Sequence, residues 1–385
     1  MTAQGTRTTR TLDGNHPGSV IPGRANPEAT RSYASRFASG FADDFYRDTA
    51  AALTVSSIGM GTYLGECDDA EDERYTNILA SGIATGLNLL DTAINYRCQR
   101  SEKAVGRALQ RALQAGNAMR EEVVVCTKGG YIPLVGSPPD TRDAYRAYLK
   151  SEYFDRDIMS PREVVVGGHC LKPGFLADQV ARSRVNIGVE CIDIFYLHNP
   201  EQQLNVLSRP QFLDAMRDAF AKLESLVAEG SIGCYGCATW NGFRVFPANK
   251  NYLSLAELIA IAEEAGGRDH HFRVVQLPLN LAMTEGVRSP TQHDGSTNLP
   301  LVEMAKDCAV SVVASAALMQ SQLTHDLPPA VETMYPGLDS DAQRAIAFVR
   351  SLPVSSALVG MRLQEHLEEN LRAARAVAPV PATRS

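Results

Sequence analysis

CIDIFYLH, residues 191–198, is a short apolar run that ends on a histidine, and a stretch of helical period follows it. In that stretch Phe212, Ala215, Met216, Ala219, Leu223, Leu226 and Val227 form one stripe, which stops at Gly230, a residue suited to closing a helix. The same unit recurs along the chain. Runs of this kind stand at 54–61 (TVSSIGMG), 86–92 (GLNLLDT), 122–128 (EVVVCTK), 232–238 (IGCYGCA), 273–278 (RVVQLP), 310–314 (VSVVA) and 355–360 (SSALVG), which makes eight in all. Helical stripes lie between them, among them Ala104, Val105, Ala108, Leu109, Ala112 and Leu113, and later Leu363, Leu367, Leu371 and Ala374. Strand and helix in eightfold alternation call for parallel pairing and predict an α/β fold, a closed (β/α)8 TIM barrel.

The barrel is expected over residues 51–375. A long insertion, about 129–190, separates its third and fourth strands by more than sixty positions and carries Tyr131, Tyr145, Tyr148, Tyr153 and Phe154. Such a segment serves as a lid over substrate, a surface elaboration or an oligomer contact. Residues 1–50 are rich in Thr, Arg, Gly and Pro and have little aliphatic surface before Phe37. They read as an extended N-terminal arm with a short helix near Ser32 to Ala51, and 376–385 read as a C-terminal tail.

Composition excludes several classes of function. The 385 residues are 44% hydrophobic and 21% charged, an ordinary globular balance. A formal charge of −7 argues against a nucleic-acid binder, which needs a clustered basic face. The longest apolar run, Ala309 to Met319, is too short to span a bilayer. Eight scattered cysteines in a chain this long are not needed as staples, and no secretory signal is visible, so a reducing cytoplasm is the expected compartment.

Three tempting motifs fail on inspection. Gly59-Met60-Gly61 begins like a dinucleotide fingerprint, but its sixth position is Leu64, and no P-loop occurs. Cys234 and Cys237 resemble a zinc or redox pair, yet on a strand residues three apart face opposite sides, and no second pair completes a metal site. The adjacent His270 and His271 lack metal-ligand spacing and read as surface or supporting residues. No metal is expected.

In such a barrel the active site lies at the C-terminal ends of the strands. Those ends carry Asp91, Lys128, His198 and Gln276, and Tyr96 follows Asp91 in the same loop. A phenol is a poor acid at neutral pH unless a cation stabilises its anion. Lys128 beside Tyr96 is expected to lower the phenol pKa, Asp91 to keep the lysine oriented, and His198 to hold a substrate carbonyl oxygen. None of these groups donates a hydride, so the chemistry requires a nicotinamide.

Here the chain resembles the aldo/keto reductases over about residues 51–375. The resemblance rests on NLLDTAINY (88–96) with Ser101-Glu102 after it, CTKGG (126–130), YLHNP (196–200), IGCYGCATWN (232–241), VVQLPLN (274–280) and LVGMRLQEHLEEN (358–370). It implies a NAD(P)H-dependent carbonyl reductase, with Asp91, Tyr96, Lys128 and His198 as the catalytic tetrad. It also implies that Gln276 and Thr239 meet the nicotinamide carboxamide, and that Gly61, Thr62 and Asp91 lie against the cofactor. Ser315, Ala316 and Leu318, with Gly360, Arg362, His366, Glu369 and Asn370, are implied as the cradle for pyrophosphate and adenosine. The chain departs from the family pattern at four places: Arg97 replaces a glycine after the tyrosine, Ala238-Thr239 a Ser-Asn pair, Ala317 a proline, and His366 a Gln or Arg. The expected activity is reduction of an aldehyde or ketone, a small-molecule substrate, by NADPH. The rival readings are a nicotinamide-binding regulatory subunit and a sugar or polyol dehydrogenase. NADPH is preferred over NADH because Arg362 opens the last helix, where a guanidinium fork grips a 2′-phosphate.

Overall fold

A computed structural model describes residues 20–165 and 167–376. The tail read at 376–385 and the first nineteen residues of the arm therefore lie outside the described residues, apart from Ala376. Eight parallel strands close into a barrel: β3 (Ile58–Gly61), β4 (Leu89–Asp91), β5 (Val124–Gly129), β6 (Ile192–His198), β7 (Ile232–Ala238), β8 (Phe272–Pro278), β11 (Ser311–Ser315) and β12 (Ser356–Gly360). A hairpin, β1 (Tyr46–Asp48) with β2 (Thr54–Ser56), precedes them, and a two-residue ribbon, β9 (Gln292–His293) with β10 (Asn298–Leu299), follows β8. The outer ring is α2 (Asp69–Ala84), α3 (Arg100–Gln114), α5 (Pro173–Ile187), α6 (Arg209–Ala228), α7 (Leu255–Gly266), α9 (Leu301–Asp307), α11 (Asp341–Arg350) and α12 (Gln364–Arg375). Short helices α1 (Pro27–Phe37), α4 (Arg142–Leu149), α8 (Glu285–Arg288) and α10 (Pro329–Met334) decorate this frame.

The alternation of side chains along a strand builds the site. Leu89, Val124, Cys126, Ile194, Tyr196, Cys234, Val274, Val313 and Leu358 point inward and fill the barrel. Two residues further along the same strands, the same inward face carries Asp91, Lys128, His198 and Gln276. The polar site is thus the next layer above an apolar plug. Cys234 joins the interior cluster and Cys237 the outer one, as their spacing required. Gly236 between them sits at a register shift between β7 and β8, where a Cβ would stand 1.8 Å from the carbonyl oxygen of Val274.

Two expectations are corrected. From residue 20 the arm is not extended. Its helix runs Pro27–Phe37 rather than near Ser32 to Ala51, and it is capped by the Asn26 side chain, which accepts from the amide of Ala29. Tyr33 and Phe45 are buried among the barrel helices, while Ala25, Leu53 and Val55 join the interior cluster and close the bottom of the barrel. Tyr33, Phe45, Leu53 and Val55 are spent on burial while Val20 stays exposed, so sparse composition concealed a docked element. The predicted strand 54–61 likewise divides, its first three residues turning back to pair with β1.

The insertion holds, but its bounds shrink. Residues 173–187 form a regular barrel helix, so the excess chain is 130–172. Ile132, Tyr153, Met159 and Cys170 from it pack with Phe175 as a small separate core.

The N-terminal segment is pinned at the barrel floor by Asp193. Its carboxylate accepts from Arg120 Nη2 at 2.9 Å, from the Ala25 amide at 2.6 Å and from the Val125 amide at 2.7 Å, all buried. Asp193→Asn should cost about 1.5–3 kcal/mol, because the amide cannot neutralise a buried guanidinium or accept on both sides. A urea melt that shows an unchanged midpoint would refute this account of the staple.

Candidate active site

The barrel mouth opens into a cavity of about 520 Å³. Asp91, Tyr96, His198 and Gln276 line it, with Gly61, Thr62, Thr239, Ser315, Ala316, Leu318 and Gly360. Lys128 lies just beneath, with its ammonium 4.9 Å from the centre of the Tyr96 ring. Lys128 Nζ donates to a carboxylate oxygen of Asp91 and to the Thr92 carbonyl at 2.9 Å. The other Asp91 oxygen accepts from Gln276 Nε2 at 2.8 Å. A buried cation is therefore fixed from two sides under one phenol.

These contacts set the charges. Burial opposes the charge on Lys128, but Asp91 and Tyr96 more than offset it and its pKa rises above the ordinary value. Burial raises the Tyr96 phenol; Lys128 pulls it down but does not win. The expected lowering is thus reversed, since the low-dielectric floor penalises the phenolate more than the lysine rewards it. His198 is driven well below its usual range, first by burial, then by Lys128 and by His169. It stays neutral, and its Nδ1 is buried without a partner.

Residues that sequence reasoning had not assigned to the site complete its walls. Tyr131, three positions past Lys128, stacks edge-on to His198 with ring centres 5.0 Å apart, and its hydroxyl accepts from Asn199 at 3.0 Å. His169, pushed down to about 4 by burial, donates through Nε2 to the His198 carbonyl at 2.8 Å and accepts at Nδ1 from Gln203 at 2.7 Å. Tyr63 meets the Tyr96 ring at 5.1 Å, and Trp240 stands 44% exposed at the mouth. The signal for Tyr131 was its place just beyond a strand end; for Trp240 it was the chain's lone indole beside Thr239. His169 gave no signal, because its neighbour in space is twenty-nine residues away in the chain. Among the described residues of the insertion, only Tyr131 lines the cavity.

Four implied cofactor residues lie apart from the cavity wall. Arg362 pairs with Glu71 at 3.2 Å, His366 is exposed, Glu369 accepts from Ser340 at 2.5 Å, and Asn370 is buried beside Met361. His270 and His271 sit at the opposite end of the barrel, where His271 Nδ1 meets Glu224 at 2.7 Å.

The wall suits a nicotinamide dinucleotide. Thr239 Oγ1 is buried without a partner, and Gln276 reaches the same wall. After β11 the chain turns through left-handed residues Ala316, Met319, Gln320 and Ser321, a geometry that exposes backbone amides to an anion. Asn280 Nδ2 holds this turn through the Ala316 carbonyl at 2.9 Å.

Comparison with known proteins agrees with this fold. The sequence model of the aldo/keto reductase family matches residues 57–258. The chain is 28% identical over 233 residues to an NADH-specific methylglyoxal reductase of Escherichia coli, covering 59% of this chain and 60% of that one. It is 29% identical over 189 residues to a D-threo-aldose 1-dehydrogenase of a Pseudomonas species, covering 49% and 51%. The chain thus spans between half and two thirds of the length of these curated relatives. The crystal structure of an aldo/keto reductase from Klebsiella pneumoniae, in complex with NADP and acetate, superposes with a TM-score of 0.57 at 18% identity, covering 86% of this chain and 90% of that one. Among the described residues no helix is long and apolar enough to cross a membrane.

Proposed function

The chain belongs to the aldo/keto reductase family, and on that premise we propose that it reduces an aldehyde or ketone with NADPH, using Tyr96 as the proton donor. The observation that carries this reading is the buried Asp91–Lys128 pair set beneath the Tyr96 ring at the cavity floor. A protein that only bound nucleotide would gain nothing from a buried cation under a phenol. The nicotinamide supplies a hydride when bound. Gln276 and Thr239 would hold its carboxamide, and the 315–318 turn with Gly360 its phosphates.

Tyr96 then donates its phenolic proton to the carbonyl oxygen of the substrate. Lys128 stabilises the tyrosinate left behind, and Asp91 with Gln276 keeps Lys128 in place. Neutral His198 orients the carbonyl by a hydrogen bond without competing for the proton. In reverse the same groups serve alcohol oxidation, and the sugar dehydrogenase among the relatives favours testing that direction too. A panel of carbonyl compounds with NADPH, followed by absorbance, tests the proposal; no turnover across aldehydes and ketones would overturn it.

Cofactor choice rests on Arg362. The guanidinium is 43% exposed and held by Glu71, at the opening of α12. Arg362→Ala should weaken NADPH by about one to two powers of ten, the worth of a charge-assisted hydrogen bond, and leave NADH unchanged. Equal losses for both cofactors in a fluorescence titration would refute this role.

A further inference from the structure

Two cysteines that the mechanism does not use meet behind the cavity wall, on the two loops that bring Tyr63 and Tyr96 to it. Cys67 lies in the loop after β3 that brings Tyr63 and Leu64 to the cavity wall. Cys98 lies two residues beyond Tyr96. Their sulfurs are 3.8 Å apart. All the cysteines are thiols, so this is van der Waals contact.

The contact is built. Arg97, where the family pattern has glycine, sends its guanidinium back to grip the carbonyls on either side of Cys67, Glu66 at 2.7 Å and Asp68 at 3.3 Å. The same guanidinium is anchored by Asp72 at 2.5 Å and lies over the Tyr75 ring. To make this grip the chain passes through three consecutive left-handed residues, Arg97, Cys98 and Gln99, at φ of 48°, 55° and 69°. Residues without glycine's freedom hold such angles only where their surroundings enforce them. The enforced turn is the one that sets Cys98 beneath Cys67.

The two thiols also differ as a reactive pair should. Cys67 is partly exposed among exposed neighbours, whereas Cys98 is 7% exposed. Burial and contact with Cys67 push the Cys98 thiol up to about 11, so at neutral pH it is held as the thiol, and the more exposed Cys67 is the sulfur an oxidant meets first.

We propose that Cys67 and Cys98 form an oxidisable dithiol that a hydroperoxide converts to a disulfide, tying together the two loops that carry Tyr63 and Tyr96 and slowing turnover. The Cys67 sulfur attacks one peroxide oxygen, the O–O bond breaks, and water (or an alcohol) leaves, which makes Cys67 a sulfenic acid. The Cys98 sulfur then attacks the Cys67 sulfur. The S–O bond breaks, the S–S bond forms, and the hydroxyl leaves as water with the Cys98 proton. Two thiols lose two electrons and the peroxide gains them. A disulfide bond is about 2.05 Å long, so the sulfurs must close by well over an ångström, and the loops must follow. Tyr96, on the cavity wall, is two residues from Cys98 on the loop that would have to follow. Displacements of about 1 Å at a catalytic group cost on the order of 10² in rate.

The cross-link stands on geometry alone; its effect on turnover rests on the proposed carbonyl reduction. The test treats the full-length protein with hydrogen peroxide, alkylates free thiols and maps peptides by mass without reduction. The expected result is one linked pair, Cys67 with Cys98, lighter by two hydrogens. Turnover of an aldehyde should fall by tens of fold and return with dithiothreitol, while Cys67→Ser keeps its activity through the same treatment. Cys67 recovered as a sulfinic acid beside a free Cys98, or linked to another cysteine, would overturn the proposal. A Cys67–Cys98 link that leaves turnover unchanged would overturn the switch. If no carbonyl compound is turned over at all, the mass map still decides whether the dithiol is real.

Discussion

Tyr96→Phe is expected to lower kcat for carbonyl reduction by about 10²–10⁴ while leaving dinucleotide affinity intact. The substitution removes one oxygen and keeps the ring, so the edge contacts to Tyr63 and His198, at 5.1 and 5.8 Å, persist. What disappears is the one proton in the cavity that sits over a buried cation. Two other phenols share the wall, and neither has that support. Tyr63 is 56% exposed, and Tyr131 has its hydroxyl engaged by Asn199. Near-normal kcat in the variant would therefore hand the role to one of them and sink the assignment. The pH profile of the wild type offers a second check. Because burial raises the Tyr96 phenol above its usual value, the donor stays protonated through neutrality and beyond. Because His198 stays neutral, no imidazole titration should appear near pH 6–7. The reduction rate should thus be flat between about pH 6 and 9, and a limb inside that window would mean that another group titrates.

The barrel was legible because its rule is repetitive. Each strand is a short apolar run and each helix a stripe, and eight repetitions outweigh an error in any one of them. The candidate site was legible for a related reason: a strand end that breaks an apolar run with Asp91, Lys128, His198 or Gln276 places that residue at the barrel mouth without further information. What escaped was whatever depends on contacts distant in the chain. The docking of α1 rests on Tyr33 and Ala25 meeting surfaces that the barrel creates only after it closes. The sign of the Tyr96 shift was misjudged because charge spacing is visible in sequence and burial is not. The insertion was visible as excess length, but its own small core around Tyr153 and Phe175 turns most of its aromatics away from the cavity. Arg97 could be noted as a departure, yet only its left-handed backbone and its reach to Glu66 and Asp68 show what it holds.

Lys128→Met should cost a factor comparable to loss of the phenol, and it should leave a mark that Tyr96→Phe cannot. On the proposed assignment the lysine acts through Tyr96, so the variant keeps its proton donor but loses the cation that steadies the tyrosinate. In the oxidative direction the tyrosinate is the base, and the rate climbs as pH rises through the Tyr96 pKa. Lys128 is the main influence that pulls this pKa down against burial. With the pull removed the pKa moves further up, and the oxidation limb must shift to higher pH. The reduction profile, which needs the protonated form, should keep its plateau and lose only height. The variant also leaves Asp91 buried with Gln276 as its remaining side-chain donor, a broken pair of the kind that costs roughly 3–5 kcal/mol. Stability must therefore be separated from chemistry. Lys128→Met combined with Asp91→Asn should regain stability in a urea melt, since no unpaired charge remains, yet recover none of the rate. If the double variant regains rate along with stability, or if Lys128→Met leaves the oxidation limb in place, the lysine supports the fold and does not tune the phenol.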